Sequence, residues 1–176
     1  MRFTDRWFPS NAGAAFVVVL FTAGCGFHPL YGTASLGSSL ANQLSDIYVE
    51  PIQDYGVADT AYELRNYLVE NLNANEPHAR YKLKASLSET TQGLALLTDA
   101  SITRYNDTLT VHYQLIDARN GKAVLSGDEV GLSAYNVVTS PYATLVAQQD
   151  ADKRAAQDIA ERLKIRLGVF FDRRTK

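Results

Sequence analysis

A single cysteine in 176 residues rules out an intramolecular disulfide and leaves no set of thiolates to cage a metal. Histidine is almost as scarce. His28, His78 and His112 lie far apart and lack the i, i+4 spacing by which a helix presents two imidazoles to one zinc. No metal site and no cofactor is therefore expected. Clustered positive charge is missing as well, since the net charge is −2, so the counterion displacement that drives nucleic-acid binding has no basis here. There is no Gly-x-Ser-x-Gly elbow and no Gly-rich phosphate loop ending in lysine, so an enzyme is not expected. Low-complexity runs are absent too, and 46% hydrophobic residues with ten tyrosines are too apolar for a disordered chain. The length suits one domain with its own core.

Long hydrophobic runs are confined to the start of the chain. Arg2 and Arg6 precede an apolar and small-residue run from Ala12 to Ala23. That order is a basic n-region followed by the h-region of a secretion signal. The run is about half the ~20 residues that a transmembrane helix needs, and Gly24, Gly26 and Pro29 follow as breakers. Thr22-Ala23-Gly24-Cys25 resembles the lipobox of bacterial lipoproteins, with threonine where leucine is usual. Residues 1–24 are read as a signal peptide and Cys25 as the lipid-bearing first residue of the mature chain. A free, buried cysteine, or a signal cleaved near Ala23 without lipid, are the other readings of this segment. Acyl chains contribute about 0.8 kcal/mol per buried CH₂, so a multiply acylated Cys25 would hold the protein at a bilayer. Residues 25–44 then serve as lipidated terminus and flexible tether, since Gly32 to Asn42 is uncharged and rich in Gly, Ser and Ala. Residues 45–176 form the domain.

Within that domain, Asp46 to Ile52 is a short strand bounded by Pro51. Thr60 and Glu63 carry a capping-box spacing ahead of Leu64, Leu68 and Leu72, which predicts a helix ending near Asn73 to Asn75. Tyr81, Leu83, Ala85 and Leu87 alternate with Lys82, Lys84, Ser86 and Ser88, and Leu109 to Leu115 repeat that period of two. Asn120-Gly121 supplies a hairpin turn. A further strand runs from Lys122 to Val137, where Gly127 and Gly131 point to a bulge or a tighter twist. Glu89 to Asn106 could be strand continuation, a bend or a hairpin tip. Ser140-Pro141 opens a last helix carrying Ala156, Ile159, Leu163, Leu167 and Phe170 at helical spacing. The order β-α-β-β-β-α predicts an α+β two-layer sandwich: a mostly antiparallel four-stranded sheet with two helices on one face.

Chemistry is thinly represented. His112 lies between Thr110 and Gln114 on the predicted wet face and reads as a solvated histidine. Asp99, Asp107, Asp117 and Asp128 fall where turns or strand ends are expected. Lys82 and Lys84 share the wet face of one strand with few acids nearby, whereas the basic residues of the last helix are interleaved with acids.

Cys25-Gly26-Phe27-His28-Pro29-Leu30-Tyr31-Gly32 resembles the mature amino terminus of the lipopolysaccharide-assembly lipoprotein family LptE, in which Gly-Phe-x-Pro-Leu-Tyr follows the lipidated cysteine. The layout of the remaining chain is similar. The resemblance implies an outer-membrane lipoprotein, lipid-anchored with its domain on the periplasmic side or inside a partner. That partner is the LptD β-barrel, which the domain plugs and helps to assemble while lipopolysaccharide passes to the outer leaflet. Tyr, Thr, Ser and Gln side chains suit a polar barrel lumen. The resemblance also implies basic contacts to lipopolysaccharide near the sheet's turn and at the start of the last helix. Lys82, Lys84 and Arg104 are the candidates for lipid A phosphates through charge-assisted hydrogen bonds, while Tyr142 to Asp152 contains no Lys or Arg. A generic periplasmic lipoprotein adaptor shares every physical feature except the Phe27 to Tyr31 match. An envelope hydrolase built on His112 and a nearby carboxylate is a third reading.

Overall fold

The period-two alternation after Tyr81 builds a sheet, and the period-3.6 stripes on either side of it cover one face. In the computed structural model, which describes residues 35–74, 78–95 and 102–175, the elements run α1 (Ser35–Ser45), β1 (Ile47–Val49), β2 (Gln53–Asp54), α2 (Ala58–Leu72), β3 (Tyr81–Ala95), β4 (Ile102–Asp117), β5 (Lys122–Asn136) and α3 (Pro141–Thr175). All belong to one unit, Ala34–Lys176. The sheet order is β1-β3-β4-β5, and the two-residue β2 joins β3 on the β1 side. β3, β4 and β5 are an antiparallel meander, while β1 and β2 run parallel to β3. Parallel neighbours need a crossover, which α2 supplies between β1 and β3. The α+β two-layer sandwich is as expected, with β2 added to the four strands.

Burial follows parity. Ile47, Val49, Tyr81, Leu83, Ala85, Leu87, Leu109, Val111, Tyr113 and Leu115 point to the helices. They meet Ala61, Leu64, Leu68 and Leu72 of α2, and Ala155, Ala156, Ile159, Ala160, Leu163, Leu167 and Phe171 of α3. Tyr81 and Phe171 pack edge to face at 5.2 Å. The inward aromatic at the end of α3 is thus Phe171, with Phe170 partly buried beside it. Asp150–Arg154 and Asp158–Arg162 pair along the outer face of α3, each contributing a few tenths of a kcal/mol.

Three local expectations change, and one stretch left open takes the first of its stated forms. The expected tether is helical from Ser35: Leu40 and Leu44, one turn apart, pack on the core and outweigh the weak helix propensity of Ser and Gly. Helix α2 begins two residues before Thr60, and Asp54 Oδ1 instead accepts the N–H groups of Gly56 (3.2 Å) and Val57 (3.3 Å). The helix closes on Asn73, left-handed at φ 52°. Glu89 to Asn106 continues both strands on either side of residues 96–101, so that β3 is about 50 Å long and its part beyond the core is a hairpin arm of about 20 Å. Gly127 and Gly131 do not bulge. A Cβ at Gly131 would lie 2.8 Å from Ile159 Cδ1 and 3.0 Å from Ala155 O, and one at Gly127 would lie 2.9 Å from Tyr113 Oη. Both glycines serve close approach, and the irregularity between β4 and β5 falls at Leu115/Ile116.

Candidate functional site

Among the described residues nothing covers the face of the sheet away from the helices. Lys82, Lys84, Ser86, Ser88 and Thr90 of β3 stand on it beside Thr108, Thr110, His112 and Gln114 of β4 and Ser126, Asp128, Val130 and Leu132 of β5. It is a wet surface of hydroxyls and amides, as the alternation requires. A concavity of about 550 Å³ opens on it among Glu50, Lys84, Ser86, His112 and Asp128.

Of the three basic candidates, Lys82 and Lys84 are neighbours two residues apart on this face. Lys84 Nζ lies 3.8 Å from Glu50 Oε2, an exposed pair of little energetic worth. Arg104 shares the face but not the place. Lys84 pairs in register with Gln114, so Arg104 stands ten residues further along β4, about 33 Å away. Its Nε donates to Asn106 Oδ1 at 3.4 Å. One phosphate cannot meet all three side chains.

His112 is not isolated, because its Nδ1 lies 2.5 Å from Asp128 Oδ1. Ser86, His112 and Asp128 form one cross-strand row. No hydrogen bond joins Ser86 to the imidazole among the described residues, and His112 and Asp128 are both well exposed. Backbone donors of β4 are committed to β3 and β5, so none is free to form an oxyanion hole there. The row is a surface network without an activated nucleophile.

Apolar exposure begins on this face along β5 and continues past it. Val130 and Leu132 stand open on β5, and Val137, Val138, Tyr142, Leu145 and Val146 remain exposed through the connection into α3, Tyr142 at 76%. Tyr142 is therefore a surface residue, whereas Tyr113 and Tyr135 are buried and Tyr105 stacks on Tyr135 at 5.5 Å.

Beneath the sheet, where the hairpin arm leaves the core, three carboxylates converge. Asp107 of β4 is 0% exposed, and it sits in mid-strand, with Thr91 and Ser133 as its cross-strand partners. The expected turn position for Asp107 is wrong because β4 begins five residues before it, at Ile102. Asp128 is mid-strand too, whereas Asp117 does hold a turn, accepting the Arg119 N–H at 3.0 Å. Glu89 and Asp152 complete the group, with one oxygen from each of the three residues within 4.8 Å of the others. Asp152 is pushed up to about 7, first by burial, then by the Glu89 and Asp107 charges, against a 3.3 Å hydrogen bond from Ser133 Oγ. Burial and Asp107 also raise Glu89, opposed by the Thr91 hydroxyl. Tyr135 beside them is pushed up to about 12 by burial and by Asp107 and Asp152.

Residues 44–167 match the LptE family, described as lipopolysaccharide-assembly. The chain belongs to this family. An uncharacterized protein of Rickettsia prowazekii (strain Madrid E) is 30% identical over 131 residues, covering 74% of this chain and 80% of that protein. Among solved structures, a candidate lipoprotein of Caulobacter crescentus CB15 is similar at a TM-score of 0.62 and 25% identity, covering 76% of this chain and 96% of that one. Rare lipoprotein B of Shewanella oneidensis shares the fold at a TM-score of 0.55 and 13% identity, covering 74% and 98%.

The LptE match spans the sandwich from Leu44 to Leu167 and so includes the wet face, the apolar connection and the carboxylates. Cys25, His28 and Asp99 lie outside the described residues. Among the described residues no helix is long and apolar enough to cross a membrane. The family assignment makes this a lipopolysaccharide-assembly protein.

Proposed function

We propose that the protein is an outer-membrane lipoprotein, anchored through a lipid on Cys25, whose domain docks in the LptD β-barrel and assists insertion of lipopolysaccharide into the outer leaflet. It performs no covalent chemistry. The family match over residues 44–167 carries the reading. Two surfaces support it. The sheet face of Ser, Thr and Gln that no described element covers offers hydrogen bonds to a polar lumen. The apolar group from Val130 to Val146 offers a dry contact at one end of the domain, of the kind that interface cores use.

Lys82 and Lys84 act in this reading as one anion contact for a lipid A phosphate, and Arg104, ~33 Å away, as a separate one. The test is affinity purification of tagged full-length protein from detergent-solubilised outer membranes, followed by mass spectrometry. LptD in the eluate and a diacylglyceryl-modified Cys25 are expected. Absence of the barrel, under conditions that keep other outer-membrane complexes together, would overturn the docking; an unmodified Cys25 would overturn the anchor. The double substitution Lys82→Ser with Lys84→Ser should weaken lipopolysaccharide retention more than Arg104→Ser. Equal retention by all three proteins would remove these contacts.

A further inference from the structure

We propose that Glu89, Asp107 and Asp152 form a binding site for a divalent cation of the calcium class, at the junction of β3, β4 and α3. The strongest indication is Asp107. Its side chain is fully buried, neither carboxylate oxygen has a hydrogen-bond partner, and it faces Glu89 and Asp152. A carboxylate buried without a donor loses its hydration and recovers nothing unless a cation or a proton neutralises it, and three acids converging on one point make a shared cation an efficient way to do so. Among the described residues no lysine or arginine pairs with Asp107. Among the described residues the cations nearest in sequence are already engaged elsewhere, Lys153 with Glu63 and Arg154 with Asp150, and no ion pair reaches Glu89, Asp107 or Asp152.

The spacing fits an ion. Calcium takes six to eight oxygens at about 2.3–2.6 Å, so two ligand atoms on opposite sides of it stand up to about 5 Å apart. The three carboxylate oxygens lie within 4.8 Å of one another, so that small side-chain adjustments suffice to bring them onto one calcium sphere. The donor set is all oxygen, which suits hard cations and gives no preference to zinc or copper. Ser133 Oγ, 3.3 Å from Asp152 Oδ1, is positioned to orient that carboxylate or to donate to bound water. The site is held by rigid parts. Glu89 and Asp107 are fixed by the β3–β4 register, and Asp152 arrives because Gly131 lets α3 lie against β5 one turn further on. A cation here would tie the base of the hairpin arm to the helix.

The experiment uses full-length protein in detergent, stripped with EDTA and then titrated with CaCl₂ against NaCl of equal ionic strength. A saturable rise in Tm is expected, on the order of 5–10 °C at ~100 times the dissociation constant. Terbium should show emission sensitised by Tyr135, and calcium should displace it. Asp107→Asn should lose both responses while unfolding in EDTA at or above the wild-type temperature, because a buried charge has been removed; Asp152→Asn is the second variant. Absence of a calcium-specific rise in wild type would overturn the site. So would a full response retained in Asp107→Asn, which would assign the calcium to copurified lipid.

Discussion

Replacing Gly131 with alanine tests whether α3 is held at contact distance by the missing side chain. The new Cβ would lie 2.8 Å from Ile159 Cδ1, 3.0 Å from Ile159 Cγ1 and 3.0 Å from Ala155 O. Ordinary contact begins near 3.4 Å, so α3 must retreat by about half an ångström or Ile159 must leave its rotamer. Ile159 is fully buried and has nowhere to go, and the Ala155 oxygen is backbone. Overpacking of this kind costs about 1–3 kcal/mol. Gly→Ala recovers about 0.4–1 kcal/mol by restricting the unfolded chain. The net loss should be about 1.5 kcal/mol, or a fall in Tm of about 6 °C. Urea and thermal unfolding measure it. Ile159→Val removes the closest atom and alone costs about 1 kcal/mol, so Gly131→Ala with Ile159→Val should lose at least 0.5 kcal/mol less than the sum, as contacting residues do. A Gly131→Ala protein as stable as wild type, or strictly additive losses, would refute the packing argument.

Two other perturbations read separate parts of the fold. Burial raises the Tyr113 phenol above its ordinary value, opposed by Arg166 and helped by Glu129 and Asp128. The folded state therefore favours the neutral phenol, a contribution complete below the unfolded value near 10 and lost as pH rises through the folded one. Stability of Tyr113→Phe should fall less steeply than wild type between pH 10 and 12 in urea titrations, and parallel slopes would contradict this. At the start of α2, Asp54→Ala should cost about 0.5–1.5 kcal/mol by freeing two N–H groups, and Thr60→Ala less than about 0.5 kcal/mol. The reverse ranking by chemical denaturation would restore the capping box at Thr60.

The sheet was legible because its period is two and one face is dry. Tyr81 to Ser88 and Leu109 to Leu115 assign each side chain to a face, and a slip of one residue would have put every leucine in water. The long last helix was legible for the same reason at its own period. What local pattern could not reach was tertiary. Ser35–Ser45 has a composition suited to a linker, and it is helical because Leu40 and Leu44 find the core. Gly127 and Gly131 are conspicuous in a strand, but whether a glycine bends the strand or admits a neighbour depends on what lies above it. For Gly131 that neighbour is 24 to 28 residues later in the chain, at Ala155 and Ile159.

The carboxylates show where the same parity should have been carried further. Leu109, Val111, Tyr113 and Leu115 face the helices, so Asp107, two residues before Leu109, faces them as well if the strand continues. An alternation begun only at Leu109 leaves Asp107 as a turn residue instead of an inward acid. An inward Asp in a strand is costly enough to demand a partner, and the alternation pattern alone carries that demand. Its partners could not be named in the same way. Glu89 reaches Asp107 diagonally across β3 and β4 only because Thr91 is its register mate, and Asp152 arrives from a helix 45 residues away whose closest approach is set by Gly131. The Lys82–Lys84 pair and Arg104 invert the case. Parity put Lys82 and Lys84 on the wet face, and the continued β4 puts Arg104 there too, but parity does not measure distance along a strand. Ten residues of β4 separate Arg104 from the row of Lys84, and a ligand bridging them would have to span most of the length of β4, as an extended lipid would and a single phosphate would not.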